Sequence, residues 1–385
     1  MRLPSIRFLI GLATVIVVCI AAVILWTRLG RSDNKPAAAP DTTLNCVGGS
    51  EKTELMADTK VKSILHDKYH LTINFQPMGS YDQVQLKTED IKTRNLDCLW
   101  PSSASAQSVF ESQHPGAFKE YRAENILQSP EVIYGGPQGT DALVAKGVVQ
   151  LRDNRYYIVN MKALLLDYIT TKQTWEGIGA TGLSGPITVS STDPARSNSG
   201  FVLAQLELNI LATEDVHSAP SLEQARKALP AMRKLYDAQG LQARSSDAGF
   251  RQWLTQGGEL QAPLYAGYEN QLIQLIQQVA QSGANTATVL AKVRVLYPDP
   301  TIYSDHPVLA LNANAGRFID AMKDSEIQTI AWQQYGFRSA VQVGINDVTY
   351  FKDISLSDQV RTTAPPAADV TLALLECMKD ATKCQ

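Results

Sequence analysis

Residues 44–52 read Leu-Asn-Cys-Val-Gly-Gly-Ser-Glu-Lys, a short apolar run that stops at two glycines and a serine. Such a run predicts a buried strand that ends in a tight loop. Glu51 to Tyr69 follows, with Leu55, Val61, Ile64 and Leu65 near a helical period. The pattern then returns. Leu71 to Phe75 alternates and ends at Gly79-Ser80, a short helix is predicted around Tyr81 to Ile91, and Leu96 to Trp100 stops at Pro101-Ser102-Ser103. Strand, Gly/Ser loop and helix, repeated, predict a parallel sheet with its loops gathered at one edge. In such sheets ligands bind beyond the carboxyl ends of the strands.

Further along, Val132 to Tyr134 reads as a strand leading into Gly135-Gly136-Pro137, and Met161 to Lys172 as a helix. Ile187 to Ser190 is a predicted strand. Ser199 to Ala212, Leu222 to Asp237 and Tyr268 to Gln281 are predicted helices. Thr301 to Leu309 reads as a strand, and Ala315 to Tyr335 as one long helix ended by Gly336. The alternation predicts an α/β protein, and no internal repeat is visible.

The chain has 385 residues, enough for two or three domains at the usual size. Apolar residues make up 44% and charged residues 19%, so the body can bury a real core. The net charge is −3, and five of the basic residues lie within the first 35 positions beside one acid, leaving the body at about −7. An acidic body argues against nucleic-acid binding. Phe8 to Trp26 contains no charge and is flanked by Arg7 and Arg28. As a helix it would span about 28 Å, close to the apolar thickness of a bilayer. Residues 1–29 are therefore predicted to anchor the chain in the cytoplasmic membrane, and 30–42, rich in Pro and Ala, to link the anchor to an extracytoplasmic body. A cleaved signal peptide is the competing reading, because an Ala-rich stretch precedes Asp41; the apolar run is longer than a usual signal core. Cys46, Cys98, Cys377 and Cys384 are compatible with two disulfides in any of three pairings.

Ser190 to Gly200 joins a predicted strand to a helix and is rich in small donors. Ser197, Asn198, Ser199 and Gly200 fall near a helix N-terminus, where unpaired N–H groups and the dipole favour an anion. The ordinary reading of the same residues is an N-cap. Ser50 and Glu51, Gly79 and Ser80, and Ser102 and Ser103 follow their strands in the same way. Tyr268 and Glu269 open another helix, and Trp100 is placed to pack over a ligand or in the core. No nucleophile–base pair, P-loop or zinc-helix motif is visible. His66 and His70 are four apart, but they lie away from the loop edge and read as surface residues. The chain is therefore expected to be no enzyme and to hold no cofactor or metal.

Together Gly49-Ser50-Glu51-Lys52, Gly79-Ser80, Asp97 to Ser103, Thr192 to Gly200, Tyr297-Pro298, Asp305-His306-Pro307 and Trp332 to Arg338 resemble extracellular solute-binding proteins of the type II periplasmic-binding fold. The likeness looks closest to a subgroup sometimes fused to von Willebrand A domains, although no added domain is expected here. The resemblance implies two α/β lobes, 43–134 with 303–385 and 135–302, enclosing a small-molecule ligand for a transporter or sensor partner. The alternative is a non-catalytic scaffold of an envelope complex. The resemblance also makes strands one and three neighbours, which would pair Cys46 with Cys98 and leave Cys377 to close a small loop with Cys384. Glu51 and Glu269, if both faced the cleft, would repel a small oxyanion and turn the choice toward a cationic or zwitterionic ligand, or a protein partner.

Overall fold

The computed structural model describes residues 40–239 and 242–385. Thr42 to Gln385 form one compact unit. The apolar stretch Phe8 to Trp26 lies outside the described residues. Among those described, no helix is long and apolar enough to cross a membrane.

Among the described residues eleven strands build the sheets: β1 (Thr42–Gly48), β2 (Leu71–Pro77), β3 (Cys98–Trp100), β4 (Arg122–Gly135), β5 (Val149–Arg152), β6 (Arg155–Ile158), β7 (Val189–Ser190), β8 (Leu264–Tyr268), β9 (Arg294–Pro298), β10 (Tyr303–Ala310) and β11 (Arg338–Ser339). β1 lies between β2 and β3, parallel to both, as the Gly/Ser-loop pattern predicts. β10 then runs antiparallel to β3 and to β4, so the first sheet is mixed. β4 is far longer than the three residues read from sequence. Its residues through Pro130 pair with β10, and Glu131 to Gly135 pair with β8 and β9 in a second sheet. One strand thus serves both sheets, and the change of partners falls between Pro130 and Glu131.

Ten helices matter here: α1 (Thr59–Tyr69), α2 (Ser80–Val84), α3 (Ala104–Gln113), α4 (Asn198–Thr213), α5 (Leu222–Ala238), α6 (Ser246–Thr255), α7 (Glu269–Gln281), α8 (Ala313–Met322), α9 (Ser325–Gln333) and α10 (Ala368–Lys379). α4 is buried from Asn198 to Ile210, which explains why its sequence has no polar face. α5 presents Ala225, Ala228, Leu229, Met232 and Leu235 inward and starts with a Ser221–Gln224 capping box. α10 packs against α5 and α4 and also against α3.

Two predicted helices are broken, each by an aspartate that caps a new start. Asp58 Oδ1 accepts from the N–H groups of Lys60 (2.8 Å) and Val61 (3.0 Å), separating α1 from the turns before it. Asp324 accepts from Glu326 N–H at 2.9 Å and splits the expected Ala315–Tyr335 helix into α8 and α9. Met161 to Lys172 is only briefly α-helical, because Leu164–Ile169 widens into a π-helix.

Disulfides join Cys46 to Cys98 and Cys377 to Cys384. The first links directly paired residues of β1 and β3, beneath the loop edge. By loop-closure entropy, a 52-residue span contributes about 4 kcal/mol and a 7-residue span about 2 kcal/mol. Denaturant unfolding of the Cys46→Ala/Cys98→Ala and Cys377→Ala/Cys384→Ala variants should show losses in that order. Equal losses would contradict the assignment of the larger constraint to the sheet.

Candidate ligand-binding site

The loops after β1, β2 and β3 meet the start of α4, the start of α6 and the end of β8 around a cavity of about 160 Å³. Ser50, Glu51, Gly79, Ser80, Ser102, Ser197, Asn198 and Tyr268 all line it. Pro77, Met78, Arg244, Ser245 and Ser246 line it as well, and sequence reading passed over these. Residues 245–254 did carry a helix signal: Ser245-Ser246-Asp247 precedes Phe250, Trp253 and Leu254, a start followed by helical apolar spacing.

The two sides touch directly. Ser50 Oγ lies 3.1 Å from Ser245 Oγ. Asn198 Nδ2 donates to the Ser102 carbonyl at 2.7 Å and to Tyr268 Oη at 3.0 Å. A Cβ on Gly79 would run into the Arg196 carbonyl, so glycine is required for this approach. A Cβ on Gly200 would meet the Thr192 carbonyl in the turn that launches α4.

Helix starts in the chain divide into capped and uncapped, and those at the cavity are uncapped, as are Gly136 and Ala367 elsewhere. Asp58, Ser103, Asn160, Ser221, Asn285, Asn312 and Asp324 each accept from the first turn of their own helices. At the cavity, Gly49, Gly79, Ser197 and Ser245 occupy the capping position and none supplies a side-chain cap. Thr192 Oγ1 takes the Gly200 N–H at 2.8 Å, and the first N–H groups of these starts, with their positive dipole ends, remain for whatever fills the space. Arg244 is exposed at the edge, and no carboxylate among the described residues pairs with it. Asn198 Oδ1 is buried and accepts no hydrogen bond from the described residues.

Beneath the floor lies a charged knot. Lys52 is fully buried, and its Nζ donates to Glu51 Oε1 (2.6 Å), Ser102 Oγ (2.9 Å) and His306 Nδ1 (2.9 Å). Ser102 Oγ in turn donates to Glu51 Oε1 at 2.5 Å. Because Nδ1 accepts from the ammonium, the neutral His306 ring carries its proton on Nε2. Burial, reinforced by the Lys52 charge, holds His306 well below the usual imidazole range. Burial alone would raise Glu51, but Lys52 and the two hydrogen bonds overcome it and hold the carboxyl below its ordinary value.

The remaining candidates do other work. Ser103 caps α3 through Ala106 N–H. Ser199 Oγ bonds to Thr192 Oγ1 (2.7 Å) and Ser246 Oγ (2.9 Å), positioning Ser246 from behind. Trp100 is buried edge-on against Phe75 and Phe318, with its indole N–H on the His306 carbonyl. Glu269 does not face the cavity. Arg338 grips it at 2.8 and 2.9 Å, and Tyr297 Oη donates to it at 2.5 Å. With Glu51 paired and Glu269 elsewhere, the expected repulsion of an oxyanion does not arise.

Removing one partner of a buried ion pair strands the other charge, at a cost of about 3–5 kcal/mol. Lys52→Met should therefore destabilise the protein by about that much in denaturant unfolding, and Glu51→Gln/Lys52→Met should recover most of the loss. A Lys52→Met variant as stable as the parent would show that the ammonium is not needed.

No family model matches the chain, and no curated protein matches it. Solved structures do. The chain is similar to the periplasmic binding protein AfuA of Actinobacillus pleuropneumoniae, with fructose-6-phosphate bound, at 13% identity and TM-score 0.54, over 87% of this chain and 96% of that one. It is similar to the sulfate-binding protein SubI of Mycobacterium tuberculosis at 13% identity and TM-score 0.50, over 86% and 96%. It is also similar to iron-bound HitA of Pseudomonas aeruginosa at 13% identity and TM-score 0.54, over 88% and 99%. The chain has the α/β architecture of these periplasmic binding proteins, in keeping with a type II fold.

Proposed function

We propose that this protein is an extracytoplasmic solute-binding protein that captures a small oxyanion. Two lobes, 43–134 with 303–385 and 135–302, close on the solute by rotation about β4, and residues 8–26 tether the body to the membrane beside a transporter or sensor partner. Its kinship is to the subgroup sometimes fused to von Willebrand A domains.

The observation that carries the ligand class is the set of uncapped helix starts. α4 and α6, from one side, and the turns after β1 and β2, from the other, aim N–H groups at one space. Arg244 adds a positive charge that no carboxylate among the described residues pairs with. Serine hydroxyls from 50, 80, 197 and 245 supply donors at fixed positions. The small volume of about 160 Å³ and its lining of small donors suit a compact oxyanion. Asn198 Oδ1 offers an acceptor for a proton that the anion carries.

The test is a thermal-shift titration of the protein with sulfate, phosphate, molybdate, amino acids and polyamines. An oxyanion at 100 times its Kd should stabilise the folded state by about 2.7 kcal/mol. Arg244→Ala should then weaken binding about tenfold or more, the scale of one lost charge-assisted hydrogen bond. Stabilisation by polyamines, or by no small solute, would overturn the oxyanion reading; silence across the panel would favour the envelope scaffold.

A further inference from the structure

A second cavity, of about 600 Å³, opens between the π-helical turn Leu164–Ile169, β7, α4 and α5, and shares no lining residue with the first. Its volume lies in the range of small-molecule sites. Ile169, Ile187, Val189 and Leu235 form buried apolar walls. Within them sits one acid, Glu207 of α4, only 2% exposed. No hydrogen bond or ion pair reaches it from the described residues. The rim carries Lys172 and Lys234, both exposed and neither paired with a carboxylate among the described residues.

A carboxyl without a partner in an apolar wall is costly to keep. An all-apolar cavity would hold a hydrocarbon without it. A purely cationic ligand would meet two lysines at the entrance, and a purely anionic one would leave the acid unanswered. Once the acid gives up its proton the arrangement is a dipole, with acid inside and cations outside. Its complement is a dipole of opposite sense joined by an apolar stretch. We propose that this cavity binds an aliphatic zwitterion, its ammonium on Glu207 and its anionic group at Lys172 and Lys234.

Burial alone pushes the Glu207 carboxyl up to about 8, with Lys172 and Lys234 the only other charged groups lining the cavity among the described residues. At pH 7 the acid is therefore mostly protonated, and pairing with an ammonium expels that proton to the buffer. Calorimetry on the full chain at pH 7, in two buffers of different ionisation enthalpy, reads this release directly. The probes are 8-aminooctanoate, octylamine and octanoate.

The expected result is one 8-aminooctanoate per chain, bound at least tenfold more tightly than either control, with close to one proton released. Glu207→Gln should abolish the release and weaken binding at least tenfold. Glutamine matches the neutral acid in shape, and an unchanged unfolding curve confirms that the variant is folded. Lys172→Ser/Lys234→Ser should erase the preference over octylamine. Arg244→Ala should leave all of this intact, which separates the outcome from the oxyanion test. Absence of binding, octanoate as the tightest probe, or binding and proton release unchanged in Glu207→Gln would each overturn the proposal.

Discussion

The ammonium of Lys52 organises the floor of the cleft. A fully buried cation must be answered on every side, and the groups that answer it come from three separate strands. Glu51 follows β1, Ser102 follows β3, and His306 lies on β10. Their convergence fixes the heights of the first and third loops relative to the return strand. Ser304 adds to this by donating from β10 to the Ser102 carbonyl at 2.5 Å. The serine that lines the cavity is therefore held by its carbonyl, its hydroxyl and its N–H, the last on Ser80 Oγ at 2.9 Å. A site floor held this way has little reorganisation left to undergo when a solute arrives.

β4 is the second constraint. Its two halves answer to different sheets, and Glu131, the first residue of the second half, is buried with neither oxygen bonded. Burial pushes that carboxyl well above its usual range. Close by, Arg338 and Glu269 join β11 of the first sheet to the start of α7 from the second, with Tyr297 of β9 on the same carboxylate. These bonds stiffen the region where the sheets exchange partners.

Much of this was legible in residues 44–103, where strand runs and Gly/Ser stops are local signals that tertiary packing does not overrule. What escaped was encoded across distance. Arg122 to Gln128 does not read as a strand, because Arg122 and Glu124 look like loop residues; in place, Asp320 and Lys323 of the α8 end neutralise them at 2.7 and 2.6 Å. Asp58 and Asp324 sit inside helical periodicity, and only their backbone bonds reveal new starts. Arg244 stands before a helix with no strand ahead of it, so the loop-edge rule never reached it. Glu269 opens its helix as expected, yet its partner Arg338 is 69 residues away, and that pairing turns it from the cleft.

The contacts across the cleft rely to an unusual degree on the main chain. Gly79 abuts the Arg196 carbonyl, and Asn198 reaches the Ser102 carbonyl. A carbonyl oxygen is present whatever the side chain beside it. Substitutions at Arg196, or at other positions that offer only their backbone, leave the clasp in place, so such positions can drift while the shape persists. A framework written largely in peptide groups is one that mutation erodes slowly, even where little of the original wording survives.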